Sequence, residues 1–119
     1  MRIFKNRSFT KFAAKEGISA AKLRGAVRDA EDGKIYADLG GGVIKQRIAR
    51  PNEGKSGGYR TIILYLRGDK AFFVYGFAKN KEDNISKADE QEFKELAKIT
   101  FAKSDDQLAA AYKEIKSDD

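Results

Sequence analysis

The sequence predicts an α+β fold in one domain of 119 residues. Between residues 40 and 81, three successive runs of alternating, β-branched and aromatic residues are typical of β-strands. The segments before and after this stretch carry apolar residues at helical spacing. The length fits a single domain. We therefore expect a small antiparallel β-sheet with two N-terminal and two C-terminal helices packed on it.

The first third of the chain predicts a short strand and two helices. Residues 2–4 are a candidate strand, and the first helix covers residues 7–15 before Gly17 breaks the pattern. Ser19 is a good N-cap for the second helix, which stops at Asp32 and Gly33. The apolar stripes of these two helices are formed by Phe9, Phe12, Ala13, Leu23, Ala26, Val27 and Ala30.

The first long strand, residues 43–50, carries the first candidate site residues. Residues 34–38 precede it as an edge strand or extended segment, and the glycines at 40–42 suggest a tight turn into the sheet. Because strand side chains alternate between faces, Lys45 and Arg47 are expected on one side, roughly 7 Å apart. That spacing suits two cations that bracket one phosphate.

A flexible hairpin loop is expected over residues 51–58, followed by a central strand over 59–66 that is apolar on both faces. A turn at 67–70 leads into the last strand, residues 71–78. Alternation would place Phe73, Tyr75 and Phe77 on one face of that strand. The last two are near enough to the basic end to stack on a nucleobase.

Two helices are expected after residue 82. Ser86 with Asp89, and Ser104 with Gln107, have the spacing of capping boxes. The stripes of these helices are formed by Phe93, Leu96, Ala97, Leu108, Ala111, Tyr112 and Ile115.

Charge is distributed unevenly along the chain. The formal net charge is +6, and residues 43–81 carry nine Lys or Arg but only two acids. Residues 82–119 are acidic instead, with eleven Asp or Glu against six Lys. The basic surface of the predicted sheet therefore favours a nucleic-acid partner.

Two residue types are missing altogether. The sequence contains neither Cys nor His, so thiolate nucleophiles, zinc thiolates and imidazole bases are excluded. We expect no metal and no cofactor, and acid–base chemistry must come from Lys, Arg, Tyr or carboxylates. The N-terminus has no apolar signal region and no segment has the length of a membrane span, so we expect a soluble, cytoplasmic protein without a membrane partner.

Three stretches carry a resemblance to a known family. They are DLGGGVIKQRIAR at residues 38–50, GKSGGYRT at 54–61 and FFVYGFAK at 72–79. Together they resemble the RelE/HigB branch of the RelE/ParE toxin superfamily, the toxins of bacterial type II toxin–antitoxin modules. The resemblance is clear over about residues 38–81, and the order of elements along the whole chain is compatible with a single RelE-like domain, residues 1–119.

The resemblance implies an endoribonuclease that inhibits translation by cleaving mRNA, typically in the ribosomal A site, and that is neutralised by a cognate antitoxin. Such enzymes use no metal: a ribose 2′-OH attacks the adjacent phosphate and leaves a 2′,3′-cyclic phosphate and a 5′-OH. A site rich in Lys and Arg suits this reaction, because the negative charge that develops on phosphorus-bound oxygens needs preorganised cations.

The resemblance also implies roles for individual residues. Lys45 stands where the family has a general base or an electrostatic group, Arg47 where it contacts phosphate, and Arg60 where it has its transition-state arginine. Lys79 falls beside the family's late basic residue, which protonates or neutralises the leaving 5′-oxygen. The expected further RNA contacts are Arg50, Lys55, Lys81 and the stacking rings of Tyr75 and Phe77.

Two departures leave alternatives open. RelE itself has an arginine directly after the last strand and a tyrosine in the following helix, whereas here Lys79 follows and the next tyrosine is Tyr112. The resemblance therefore does not decide the general acid or the stacking residue. The alternative functions are a ParE-like inhibitor of DNA gyrase and a non-catalytic protein that binds RNA or the ribosome. The full basic set, which ParE sheets lack, favours the nuclease.

Overall fold

The structure is a computed structural model that describes residues 1–52, 54–79 and 84–116, without the side chains at positions 55 and 56. Within these residues the chain forms six strands and four helices. In chain order they are β1 (Arg2–Lys5), α1 (Arg7–Glu16), α2 (Ala20–Glu31), β2 (Ala37–Gly40), β3 (Val43–Arg50), β4 (Gly54–Leu66), β5 (Lys70–Ala78), α3 (Lys87–Phe101), α4 (Asp105–Ala111) and β6 (Lys113–Ile115).

The strands form one sheet in the order β2-β3-β4-β5-β1-β6. Strand β1 runs parallel to β5, and the other neighbouring strands are antiparallel. The parallel pair arises because α1 and α2 carry the chain from β1 to the far edge of the sheet before β2 begins, and parallel neighbours need such a long crossover. The predicted α+β fold with four helices is confirmed, and the sheet is mostly antiparallel.

The sheet lies between two helical layers. Phe9 of α1 and Leu23 and Val27 of α2 pack with Ile44 and Ile63 on one face. On the other face, Ala97 of α3 and Leu108 of α4 pack with apolar residues of the strands. These strand residues are Phe4, Val43, Ile62, Leu64, Phe72 and Val74. Each face buries its own apolar set, so the register of every strand decides which side chains enter which core.

The helices begin where the sequence predicts. The side chains of Ser19, Ser86 and Ser104 accept hydrogen bonds from the third residue of their helices, and Ser104 forms a full capping box with Gln107. The cap of α1 was not anticipated: the Asn6 side chain accepts from the backbone N–H of Phe9 at 2.8 Å.

Two expected boundaries are wrong. Strand β4 begins at Gly54, where it pairs with Arg50, so the loop predicted over residues 51–58 is shorter. Gly58 lies at the irregularity between the pairs Ile48–Tyr59 and Arg50–Gly54, where a Cβ would lie 2.2 Å from the carbonyl oxygen of Ile48. At the C-terminus, α4 ends at Ala111. Ile115 does not continue the helical stripe, because it lies in β6 and pairs with Ile3 of β1.

The expected alternation in β5 is also wrong, because the strand contains a bulge. Ile62 pairs with Tyr75 while Ile63 pairs with Phe73, so Val74 is the extra residue. Phe73 therefore packs under the first two helices, and Tyr75 packs on the face of α3.

Candidate functional site

Pairing between β3 and β4 brings three predicted site residues together. Arg47 lies directly opposite Arg60, and Lys45 is two residues before Arg47 on the same face of β3. Their cationic groups lie close to the ring of Tyr36: the distance to the ring centroid is 5.9 Å from Lys45 Nζ, 4.5 Å from Arg47 Cζ and 5.3 Å from Arg60 Cζ. We call Lys45, Arg47 and Arg60 the cation cluster.

The cluster is set into the sheet instead of projecting from it. Lys45 is 8% exposed and Arg60 is 4% exposed, whereas Arg47 is half-buried. Lys45 Nζ donates a hydrogen bond to Asn84 Oδ1 at 2.7 Å. Because an amide oxygen carries no formal charge, this contact fixes the ammonium group without neutralising it. The arrangement concentrates positive charge in partly dehydrated surroundings, where it acts strongly on a nearby anion.

Gln46 fixes Tyr36 beside the cluster. Its side chain is 3% exposed and points to the opposite face of β3. Its amide nitrogen donates to the carbonyl oxygens of Ala26 and Lys34, each at 3.0 Å, and its oxygen accepts from the backbone N–H of Tyr36 at 2.8 Å. These bonds tie the segment before β2 to α2 and to β3.

The structure does not bring Arg50 to the cluster. Its guanidinium carbon lies 5.6 Å from the ring centroid of Tyr59, which belongs to the core under α1 and α2. Arg50 therefore lies on the other face of the sheet. Lys79 follows β5 directly, its backbone N–H donates to Gly58, and its side chain is exposed. Lys81 and the side chain of Lys55 lie outside the described residues.

The two predicted stacking residues have little open surface. Phe77 pairs with Arg60 across β4 and β5, but it is only 5% exposed. Tyr75 is half-buried, with its ring centroid 5.9 Å from those of both Phe77 and Phe93. The Phe77 ring therefore offers almost no free face to a nucleobase, and the Tyr75 ring is partly covered by its neighbours.

A hollow of about 330 Å³ lies next to the cluster. Its lining residues are Asp29, Lys34, Ile35, Tyr36, Gln46 and Arg47. Among the described residues, acidic side chains do not gather in groups of three or more that could hold a metal ion. Over the same residues, no helix is both long and apolar enough to cross a membrane.

Comparison with known families decides the relationship. A family model described as the RelE toxin of the RelE/RelB toxin–antitoxin system matches residues 1–116. The chain belongs to the RelE toxin family. The resemblance inferred from residues 38–81 is thus confirmed over almost the whole chain, and this RelE-family chain is a toxin whose family implies an antitoxin partner. No curated protein matches the sequence significantly.

Three residues around the cation cluster were missed by sequence reasoning: Tyr36, Gln46 and Asn84. One of them left a signal. Gln46 lies between Ile44 and Ile48, which are apolar and share its face of the strand, and a polar residue between them must satisfy its amide inside the core. Tyr36 left none, because its position depends on how β2 pairs with β3.

Proposed function

We propose that this toxin is a metal-independent endoribonuclease, an mRNA interferase of the RelE/HigB type, that cleaves mRNA in the ribosomal A site and so inhibits translation in the cytoplasm. The observation that supports this proposal is the convergence of Lys45, Arg47 and Arg60 around one point of the sheet face. Such a cluster suits a phosphate diester whose charge increases during reaction.

In the proposed reaction, the 2′-oxygen of one nucleotide attacks the adjacent phosphorus while its proton passes to a base. The bond from phosphorus to the 5′-oxygen breaks, and this oxygen takes up a proton as it leaves. Arg47 and Arg60 bind the non-bridging oxygens, because guanidinium groups donate paired hydrogen bonds to phosphate. Lys45 either accepts the 2′-OH proton or stabilises the charge, and Lys79 neutralises or protonates the leaving oxygen.

The first test is primer extension on an abundant mRNA after brief induction of the toxin in cells, with growth recorded. We expect new 5′ ends within translated codons. Because the removal of one preorganised donor costs about 10²–10³-fold in rate, Arg60→Ala should remove these ends. Arg67→Ala is the matched control, since Arg67 is an exposed arginine on the turn between β4 and β5. Arg67→Ala should leave cleavage intact.

Growth arrest with intact mRNA would refute the nuclease and favour gyrase inhibition. Absence of both effects would favour a non-catalytic protein that binds RNA or the ribosome.

The role of Lys45 can be tested separately with Lys45→Arg. The guanidinium group keeps the positive charge but does not give up its proton in proteins, so it cannot serve as a base. Cleavage that survives in Lys45→Arg and is lost in Lys45→Ala would assign an electrostatic role. Loss in both, with the fold retained by circular dichroism, would assign the base.

A further inference from the structure

Tyr36 differs from the other aromatic residues of this protein in its exposure. Among the large hydrophobic side chains that the structure describes, only those of Met1, Tyr36 and Ile99 are exposed, and Tyr36 is 47% exposed. The other rings in the described part of the chain are buried or half-buried. The Tyr36 ring is therefore accessible to a ligand beside the cation cluster.

The position of Tyr36 is also fixed. The buried Gln46 accepts a hydrogen bond from its backbone N–H and donates to the carbonyl oxygen of Lys34 two residues earlier. Because the backbone that carries the ring is already ordered, it loses little freedom when a ligand binds, and more of the contact energy appears as affinity.

The surroundings of the ring match the parts of one nucleotide. The three cations lie within 5.9 Å of the ring centroid, so a phosphate bound by them would lie close to the ring. The adjoining hollow, which Tyr36 and Arg47 both line, has a volume of about 330 Å³ and leaves room for a base. Every nucleobase has a π-face, so stacking on the ring would tolerate any base.

We propose that Tyr36 is a stacking platform for the base of a nucleotide next to the phosphate that the cation cluster binds. This inference rests on the proposed function in one respect, since it takes an RNA strand as the ligand. It gives the base contact to a residue on the segment before β2, whereas the sequence had suggested Tyr75 and Phe77 on β5. Tyr36 would contact the substrate directly and would not take part in proton transfer.

A purely structural role predicts something different. If Tyr36 only holds the side chains of Lys45, Arg47 and Arg60 in place, its loss would weaken binding of the phosphate whether or not a base is present. The two roles can therefore be separated by a ligand that keeps the phosphates and lacks one base.

The experiment uses short single-stranded 2′-O-methyl RNAs, which lack the attacking hydroxyl and so cannot be cleaved. One RNA carries all its bases, and it is compared with a series in which each member is abasic at one position. Dissociation constants are measured by calorimetry at one salt concentration for the wild-type toxin, Tyr36→Ala and Tyr36→Phe. Thermal denaturation of each variant confirms that it is folded.

We expect Tyr36→Ala to weaken binding of the complete RNA by about 5- to 150-fold, the usual range for one stacked base. Tyr36→Phe should bind nearly as tightly as wild type, because the ring is retained. For the RNA that is abasic at the stacked position, wild type and Tyr36→Ala should bind equally. An equal loss on the complete and abasic RNAs, no loss on either, or no binding of the complete RNA by wild type would each overturn the inference.

This outcome is independent of the nuclease test. Cleavage of mRNA by the wild-type toxin, together with unchanged binding in Tyr36→Ala, would leave the nuclease standing and remove the platform. Base-dependent binding that is lost in Tyr36→Ala, without any cleavage of mRNA, would support the platform and refute the nuclease.

Discussion

Replacement of Gln46 by Met tests the support under the site. Met has an unbranched side chain of similar length, so it fills the space of Gln46 and removes its three hydrogen bonds. A typical hydrogen bond contributes about 1 kcal/mol net to stability. The backbone groups of Lys34 and Tyr36 are near enough to the surface to regain water, and Ala26 lies within α2. We therefore expect the variant to be less stable by about 2–4 kcal/mol.

Thr61→Val is the matched control for this change. The Thr61 hydroxyl is fully buried in the neighbouring strand and donates a single hydrogen bond, to the backbone carbonyl of Gln46 at 3.1 Å. Its loss should cost about 1 kcal/mol. Both variants should stay folded, because domains of this size are stable by about 5–15 kcal/mol.

The assay is urea unfolding followed by circular dichroism. With a slope of about 1–3 kcal/mol per M urea, Gln46→Met should lower the midpoint by roughly 1 M or more at unchanged slope. Because the same bonds hold Tyr36, this variant should also lose the base-dependent part of RNA binding. A midpoint no lower than that of Thr61→Val would refute the view that Gln46 holds the segment before β2.

Two further predictions concern packing and alkaline pH. Gly76→Ala should cost about 1–3 kcal/mol in a urea titration, because its Cβ would lie 2.4 Å from the ring of Phe12. Gly25 lies in α2, where an added Cβ would have no atom within 4 Å, so Gly25→Ala should stabilise the fold by up to about 1 kcal/mol. Similar changes in stability for the two variants would contradict the clash at Gly76. Burial raises the pKa of Tyr112 above 10.0, so the neutral phenol favours the folded state and stability is lost as the pH rises above about 10. Tyr112→Phe should cost about 1 kcal/mol at neutral pH, because it loses the hydrogen bond with Thr100. In thermal unfolding, the variant should lose less stability than wild type as the pH rises above about 10. An equal loss in both would assign the alkaline effect to other groups.

The sequence was most informative where one period dominates. Alternation in β3 placed Lys45 and Arg47 on one face, and the structure agrees, because Val43 on that face packs with the α3 core while Ile44 packs under α2. Serine caps likewise located the starts of three helices. These features depend on a few neighbouring residues, so local patterns are enough to find them.

Bulges and pairings between distant segments could not be predicted from local patterns. The extra residue at Val74 puts Phe73 and Tyr75 on opposite faces of the sheet, and the apolar run of β5 gives no sign of this bulge. The signal lies far away in the chain, because the Asn6 side chain donates to the carbonyl oxygen of Val74 at 3.1 Å. Ile115 follows Leu108 and Tyr112 at helical spacing, which predicts a helix. In the structure it lies in β6, which pairs with the edge of β1.

The position of the cation cluster follows from where the sheet loses its helical cover. Along β3, Val43 packs in the core against α3, Lys45 is held by Asn84 just before α3 begins, and Arg47 lies beyond the helix beside Tyr36. Core and site thus occupy the same face of one strand, two residues apart. A slip of one residue would turn both cations into the core under α2 and move Ile44 out of it. The apolar packing that stabilises the fold therefore also selects the register that brings Arg47 opposite Arg60, so mutations in that core should weaken the site even when they lie far from it.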